Sequence, residues 1–346
     1  MRVVFGQGWP LMFAHRRSFK IGDETIKTPL LVPSYSSRAG GQAVTEIIKV
    51  TQEFVKRDIL VSAYDIKRNG LKQSHVKSAT HVFLDSGGYE AGADADLSEV
   101  VSRTEPPDKW LASEHREVLS AWNFDQPTVL VNFDTPRRRE RFETQLSRAH
   151  RQRQRYAFAA HAFLAKPEPA DTRLGRYYVD IATVIEHLDE LTEFDIIGVT
   201  EKELGESMLV RLVNTALLRR ALDAKKLTQP IHIFGSLDPM ACPLFLIAGA
   251  DIFDGLTWLR YAYHQGMAVY RQNILATEKL QPDTRDGELS AQIHVQNYHA
   301  LGRLGDQMIR FAQAQDFAVF EHHGDYFEDV SQRMTRWPKR LIKACR

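Results

Sequence analysis

The sequence predicts an α/β protein: a (β/α)8 barrel of the TIM type with a mostly helical C-terminal appendix. Three observations predict it. Eight short apolar runs recur between Leu30 and Asp254, helical patterns separate them, and acidic residues and glycines fall at the ends of several runs. Continuous rather than alternating apolar runs suit parallel strands covered on both faces. Strand–helix alternation implies parallel βα units. Periodicity alone fits an open doubly wound sheet equally well. The polar strand ends favour the barrel, because barrel enzymes carry their chemistry at the C-terminal ends of the strands.

In chain order, strands are expected at Leu30–Pro33, Ile59–Ala63, His81–Asp85, Thr128–Asp134, Tyr156–His161, Phe194–Val199, Ile231–Gly235 and Ala250–Asp254. Asp180–Leu191 and Met208–Ala224 carry amphipathic helical patterns. Asp85, Asp134, Gly198, Gly235 and Asp254 then stand at strand ends. Residues 1–274 make the barrel, and residues 275–346, helical with few strand signals, pack on it as an extension. Glu278–Glu288, polar with a Pro and a Gly, reads as a surface loop.

The chain has 346 residues, a length that single barrels reach, and a formal net charge of +1. Any polyanion-binding surface must therefore be local. Two distant cysteines, Cys242 and Cys345, exclude a disulfide framework and a cysteine-rich zinc site. The opening MRVVFGQGWPLMFAHRR is too broken by Gly, Pro and charge for a signal peptide, and no apolar run is long enough to span a membrane. A soluble cytoplasmic protein is expected.

Phe83–Glu90, FLDSGGYE, delivers Asp85 from an apolar strand into a turn with almost no side chains. Gly87 and Gly88 let the backbone approach a flat ligand, and Ser86 offers a hydroxyl. A lone Asp-Ser-Gly-Gly is more often a simple capped turn. The same holds for Asp254 before Gly255 and for Asp134 in VLVNFDTP. Three such carboxylates on one rim would form a cluster that is costly unless solvated, paired or used. Two carboxyl groups facing a sugar carbon perform retaining chemistry: one attacks, and the other protonates the leaving group.

In order and spacing, several motifs resemble the tRNA-guanine transglycosylase superfamily. They are TPLLVPS (Thr28–Ser34), FLDSGGYE, FDIIGVTEKELGES (Phe194–Ser207), HIFGSLDP (His232–Pro239) and GADIFDGLTWLRYAYHQG, ending at Gly266. The resemblance implies that Asp254 is the nucleophile at C1′ and Asp85 the general acid/base. It implies that Ser86 and Asp134 hydrogen-bond the heterocycle, that Gly198 presents backbone groups to it, and that Tyr89 and Phe234 sandwich it. Arg260 falls at a basic position used near the nucleic-acid backbone. The family's base-contacting glutamine has no clear match, and His161 stands nearest that strand end. The family's zinc-binding cysteines are absent from IHVQNYHALGRL (Ile293–Leu304). His294, His299, His322 and His323 match no zinc spacing, so no cofactor or metal is expected.

These departures resemble the DNA-guanine transglycosylases, which insert a 7-deazaguanine such as 7-cyano-7-deazaguanine into DNA. That branch implies a bacterial cytoplasm, with the gene host- or phage-borne. Arg137, Arg138 and Arg139 open a basic stretch running to Arg155 beside Asp134. It serves either to bind phosphates or as a solvated helix face. A second basic stretch runs from Arg333 to Arg346. A base in duplex DNA must be flipped or offered single-stranded. With no Walker motif present, a separate ATPase or other DNA-opening partner is expected. A homodimer is compatible with the sequence. The rival readings are a tRNA-acting enzyme and a non-catalytic subunit that positions nucleic acid.

Overall fold

The computed structural model describes residues 12–39, 43–51, 57–92, 109–135, 139–169, 178–274 and 286–336. A hairpin comes first, β1 (Ser18–Ile21) and β2 (Glu24–Lys27). Eight parallel strands follow: β3 (Leu30–Tyr35), β4 (Ile59–Ser62), β5 (Val82–Asp85), β6 (Thr128–Val131), β7 (Ala160–Ala165), β8 (Ile196–Thr200), β9 (Ile231–Phe234) and β10 (Ile252–Gly255). Each pairs with the next in chain order, and β10 closes on β3 with Ile252 opposite Leu30 and Asp254 opposite Val32. The apolar runs therefore form a closed (β/α)8 barrel, not an open sheet.

The strands read as continuously apolar because each face packs on something. Side chains alternate in direction along a strand. Val32, Leu60, Phe83, Val129, Val131, Leu164, Ile196 and Ile252 fill the interior, and Phe19, Ile21 and Ile26 of the first hairpin join the same cluster. The alternate residues, among them Leu84, Leu130, Phe163, Ile197, Ile233 and Phe253, pack outward under the helices. This parity decides which polar residues reach the barrel mouth. Counting from the buried interior residues, Ser34, Asp85, Lys166, Thr200, His232 and Asp254 all face inward.

Helix Met208–Ala224 has its expected span, and Ser207 starts it by accepting the N–H of Val210 at 3.3 Å. The Asp180–Leu191 pattern forms two short helices, Ile181–Glu186 and Leu188–Leu191, the first capped by Asp180. The fifth barrel strand lies later than expected, at Ala160–Ala165 instead of Tyr156–His161. Helix Phe142–Arg155 runs up to Tyr156, which caps it. Tyr156 and Phe158 then pack against Phe124, with ring centroids 5.7 and 4.8 Å from it. Aromatic packing outside the barrel accounts for the apolar character that suggested a strand.

At the lower end of the seam, Asp251 is wholly buried. It accepts from Arg219 at 2.7 Å, Arg17 at 3.1 Å and the Ile231 N–H at 2.8 Å. After β10 come a helical turn, Thr257–Arg260, and a second hairpin, β11 (Ala262–His264) and β12 (Met267–Val269). The long helix Asp286–Ala314 packs on β3 and on helices Val44–Thr51 and Ala241–Ile247. Its buried Asn297 donates to the carbonyls of Trp258 and Tyr261 at 2.6 and 2.7 Å and accepts the Tyr263 N–H at 2.7 Å. The helix Gly324–Arg336 ends the described chain. No helix among the described residues is long and apolar enough to cross a membrane.

Candidate functional site

The C-terminal mouth of the barrel holds a pocket of about 120 Å³. Asp85, Gly88, Tyr89 and Asp134 line one side; Phe234, Gly235 and Asp254 line another. Arg139 also reaches this pocket. Arg137 and Arg138 lie outside the described residues, as do residues 337–346 of the second basic stretch.

Asp254 lies near the end of β10, faces inward and is nearly buried. Ser34 donates to Oδ2 at 2.8 Å, and His232 Nε2 lies 2.9 Å from Oδ1, which the Gly235 N–H also approaches at 3.3 Å. The carboxylate is held from three directions at the pocket wall.

Asp85 is held differently. The Gly87 N–H donates to its Oδ2 at 2.9 Å, but burial, then the negative charges of Asp134 and Asp254, push its carboxyl up to about 7. The two carboxyl groups therefore sit in different surroundings: Asp254 is anchored by donors, while burial and neighbouring charge favour the protonated form of Asp85. Asp134 accepts from Ser86 at 2.6 Å. The two glycines of the turn serve different ends. Gly87 adopts φ +88°, and a Cβ there would lie 2.5 Å from Tyr64 Cβ. A Cβ on Gly88 would lie 1.9 Å from Asp134 Oδ1, so the carboxylate rests on bare backbone.

Tyr89 and Phe234 both line the pocket, each with one ring face against protein. Arg38 lies 4.2 Å from the Tyr89 centroid, and His232 stacks on Phe234 at 3.7 Å. Arg260 buttresses Tyr89, donating to its hydroxyl at 2.9 Å and to the Arg38 carbonyl at 2.6 Å. Gly198 sits within β8 beneath Phe234, whose ring would meet a Cβ there at 2.4 Å. Gly198 thus gives Phe234 room to lie flat across the barrel.

His161 is corrected. It sits at the start of β7, at the end of the barrel opposite the pocket, and its parity turns it outward. Its ring bonds the Tyr156 carbonyl at 2.9 Å, and burial lowers its pKa to about 4. The residue just beyond the C-terminal end of β7 is Lys166, which lines the pocket. Its ammonium lies 2.7 Å from Glu203, 3.8 Å from Asp134 and 3.2 Å from the Thr200 hydroxyl. Glu203 also pairs with Arg139 at 2.8 Å. Burial opposes its charge, yet Lys166 and Arg139 hold its carboxyl below the usual range.

Glu90, unassigned by the motif reading, is a further wall residue. Ser36 donates to it at 2.5 Å, and burial, then Asp65 and Asp85, push its carboxyl up to about 8. Strand parity is the signal that points to Ser34, Lys166 and His232. Glu90 and Glu203 follow strands and carry no such signal.

Among the described residues, no group of three or more His, Cys, Asp or Glu is placed to hold a metal. His294 is buried near Trp258, and His323 holds the Gln265 carbonyl at 2.8 Å. His299 and His322 are exposed. No protein-family model matches the chain, and a search of curated proteins finds no match either.

Proposed function

We propose that this chain is a base-exchange transglycosylase. In this reading it replaces guanine in DNA by a 7-deazaguanine, such as 7-cyano-7-deazaguanine, through a covalent glycosyl-aspartate. The observation that carries the reading is the polarised pair at one pocket: Asp254, fixed by Ser34 and His232, and Asp85, raised to about 7. A retaining exchange needs a nucleophile that is always in place and a partner able to give and retake one proton.

The steps follow from these roles. Asp254 attacks C1′ as the bond to the base N9 breaks, and the Asp85 carboxyl protonates the departing base. The free base is exchanged in the pocket between Tyr89 and Phe234, with Asp134, held by Ser86, as a hydrogen-bonding partner. The incoming base then loses its N9 proton to Asp85 and attacks C1′, releasing Asp254. Arg139 is proposed to meet phosphate, and a separate partner to open duplex DNA. The motif resemblance supports guanine-type bases; the mixed acidic and basic pocket wall is compatible with them.

The deciding experiment offers labelled guanine and 7-cyano-7-deazaguanine to the purified protein with single-stranded DNA, duplex DNA or tRNA. Label entering DNA, and lost in Asp254→Asn, is expected. Label in tRNA alone would move the substrate to RNA. Label in none, also with cell extract added, would overturn the proposal in favour of a subunit that only positions nucleic acid.

A further inference from the structure

His232 is the one strongly polar side chain in the run IHIF of β9, and it is wholly buried. Its ring stacks on Phe234 and meets Phe83 edge-on at 5.7 Å. Nε2 is 2.9 Å from Asp254 Oδ1, whereas Nδ1 is buried with no hydrogen-bond partner. A carboxylate only accepts, so the ring proton in this contact lies on Nε2. A buried, unpaired ring nitrogen costs stability. An apolar side chain would fill the same space without that cost, so packing does not account for the residue.

The geometry points to His232 as a positioning residue that sets the balance between free Asp254 and its glycosyl ester. This rests on the transglycosylase reading. A hydrogen bond to an ionised carboxylate is about twice as strong as one to a neutral carbonyl. Donation from His232 and from the Gly235 N–H to Oδ1 therefore favours the free carboxylate over the ester. When Oδ2 bonds to C1′, the C1′–N9 pair leaves with the base, the Asp85 proton goes to that base, and the Oδ1 hydrogen bonds weaken. When the incoming N9 attacks C1′, its proton goes to Asp85, the C1′–Oδ2 pair returns to Asp254, and those bonds regain strength. His232 keeps its proton throughout. Its effect is to make Asp254 a better leaving group in the second half-reaction, so the ester does not accumulate.

The test compares wild type, His232→Leu and His232→Gln for covalent adduct on single-stranded DNA and tRNA and for exchange rate. In His232→Leu the ratio of adduct to free enzyme is expected to rise on the order of tenfold while exchange slows. His232→Gln, which keeps an N–H donor at the same reach, returns both towards wild type. A wild-type ratio in His232→Leu, or a glutamine variant no better than the leucine one, overturns the role. If His232→Leu fails to fold, nitrogen-15 spectra of histidine-labelled protein decide. A His232 signal with a protonated Nε2 and a bare Nδ1 that shifts in Asp254→Asn supports the contact, and the opposite tautomer overturns it. No exchange in wild type on either polymer, together with no adduct in His232→Leu, removes the transglycosylase reading itself, and the partitioning role with it. Adduct in wild type with no change in His232→Leu removes the partitioning role alone.

Discussion

Ser86 donates its hydroxyl to Asp134 at 2.6 Å, tying the turn after one rim carboxylate to the next carboxylate around the barrel. The bond fixes which Asp134 lone pairs face the pocket. Ser86→Ala is expected to weaken binding of 7-cyano-7-deazaguanine about fivefold, roughly 1 kcal/mol for one buried hydrogen bond. Titration calorimetry reads this directly. Unchanged affinity would mean that Asp134 is held without Ser86 or does not touch the base.

Gly88→Ala should do more, because its Cβ would fall 1.9 Å from Asp134 Oδ1. The carboxylate must leave its place. Base affinity should fall at least tenfold further than in Ser86→Ala, about 1.4 kcal/mol, with the melting temperature little changed. Equal affinities of the two variants would contradict the close approach.

Asp254→Asn should lower exchange by at least about 10³-fold and abolish the covalent adduct while the fold is kept. Adduct on denaturing gels and circular dichroism report the two halves of this expectation. A variant retaining adduct would place the nucleophile elsewhere.

Asp85 gives a pH prediction with a definite sign. Its carboxyl is raised from the ordinary 3.8 to about 7. Between these values the folded protein keeps a proton that the unfolded chain has lost, so this contribution to stability is present at low pH and is lost as pH rises through about 7. Burial lowers His161 and His294 to about 4, which acts in the opposite sense. The whole-protein curve is therefore mixed, and the comparison with Asp85→Asn isolates the carboxyl. Relative to that variant, wild type should lose melting temperature from about pH 4 to pH 7 and then level off. A flat difference across that range would contradict the raised value.

Arg219→Met tests the seam. It removes one partner of a wholly buried pair and should cost about 3–5 kcal/mol in urea unfolding. Arg17 still contacts Asp251 at 3.1 Å and softens the loss. A cost below about 1 kcal/mol would show that Arg17 alone satisfies Asp251.

The barrel was legible in the sequence because strands covered on both faces need unbroken apolar runs, and β3 to β10 have them. The fifth strand was displaced because Tyr156 and Phe158 are apolar for another reason, packing on Phe124 outside the barrel. Asp85, Asp134 and Asp254 were legible as polar residues closing apolar runs. Asp251 and Asp254 share the motif GADIFDG, but only the structure separates them: the first pairs with arginines below, the second faces the pocket above. Lys166 was hidden by the misplaced strand, and His232 by its place inside an apolar run. Glu90 and Glu203 lie in single helical turns, Gly88–Ala91 and Glu201–Leu204, too short for periodicity to mark direction. The hairpin of β11 and β12 was missed because its strands are three residues each, too short for a pattern.

The pairing of β3 with β10 has a consequence for the order of events during synthesis. The first barrel strand must wait for the last, more than two hundred residues later on the ribosome. Until Ile252–Gly255 emerges, Leu30–Tyr35 and Ile231–Phe234 are open edges able to pair with another chain. Asn297 fixes the segment after β10 only once the long helix has also emerged. A nascent chain halted before β10 would leave both edges unpaired and be an aggregation hazard. Truncations before β10, which lack the closing strand, are therefore the ones expected to be captured by chaperones.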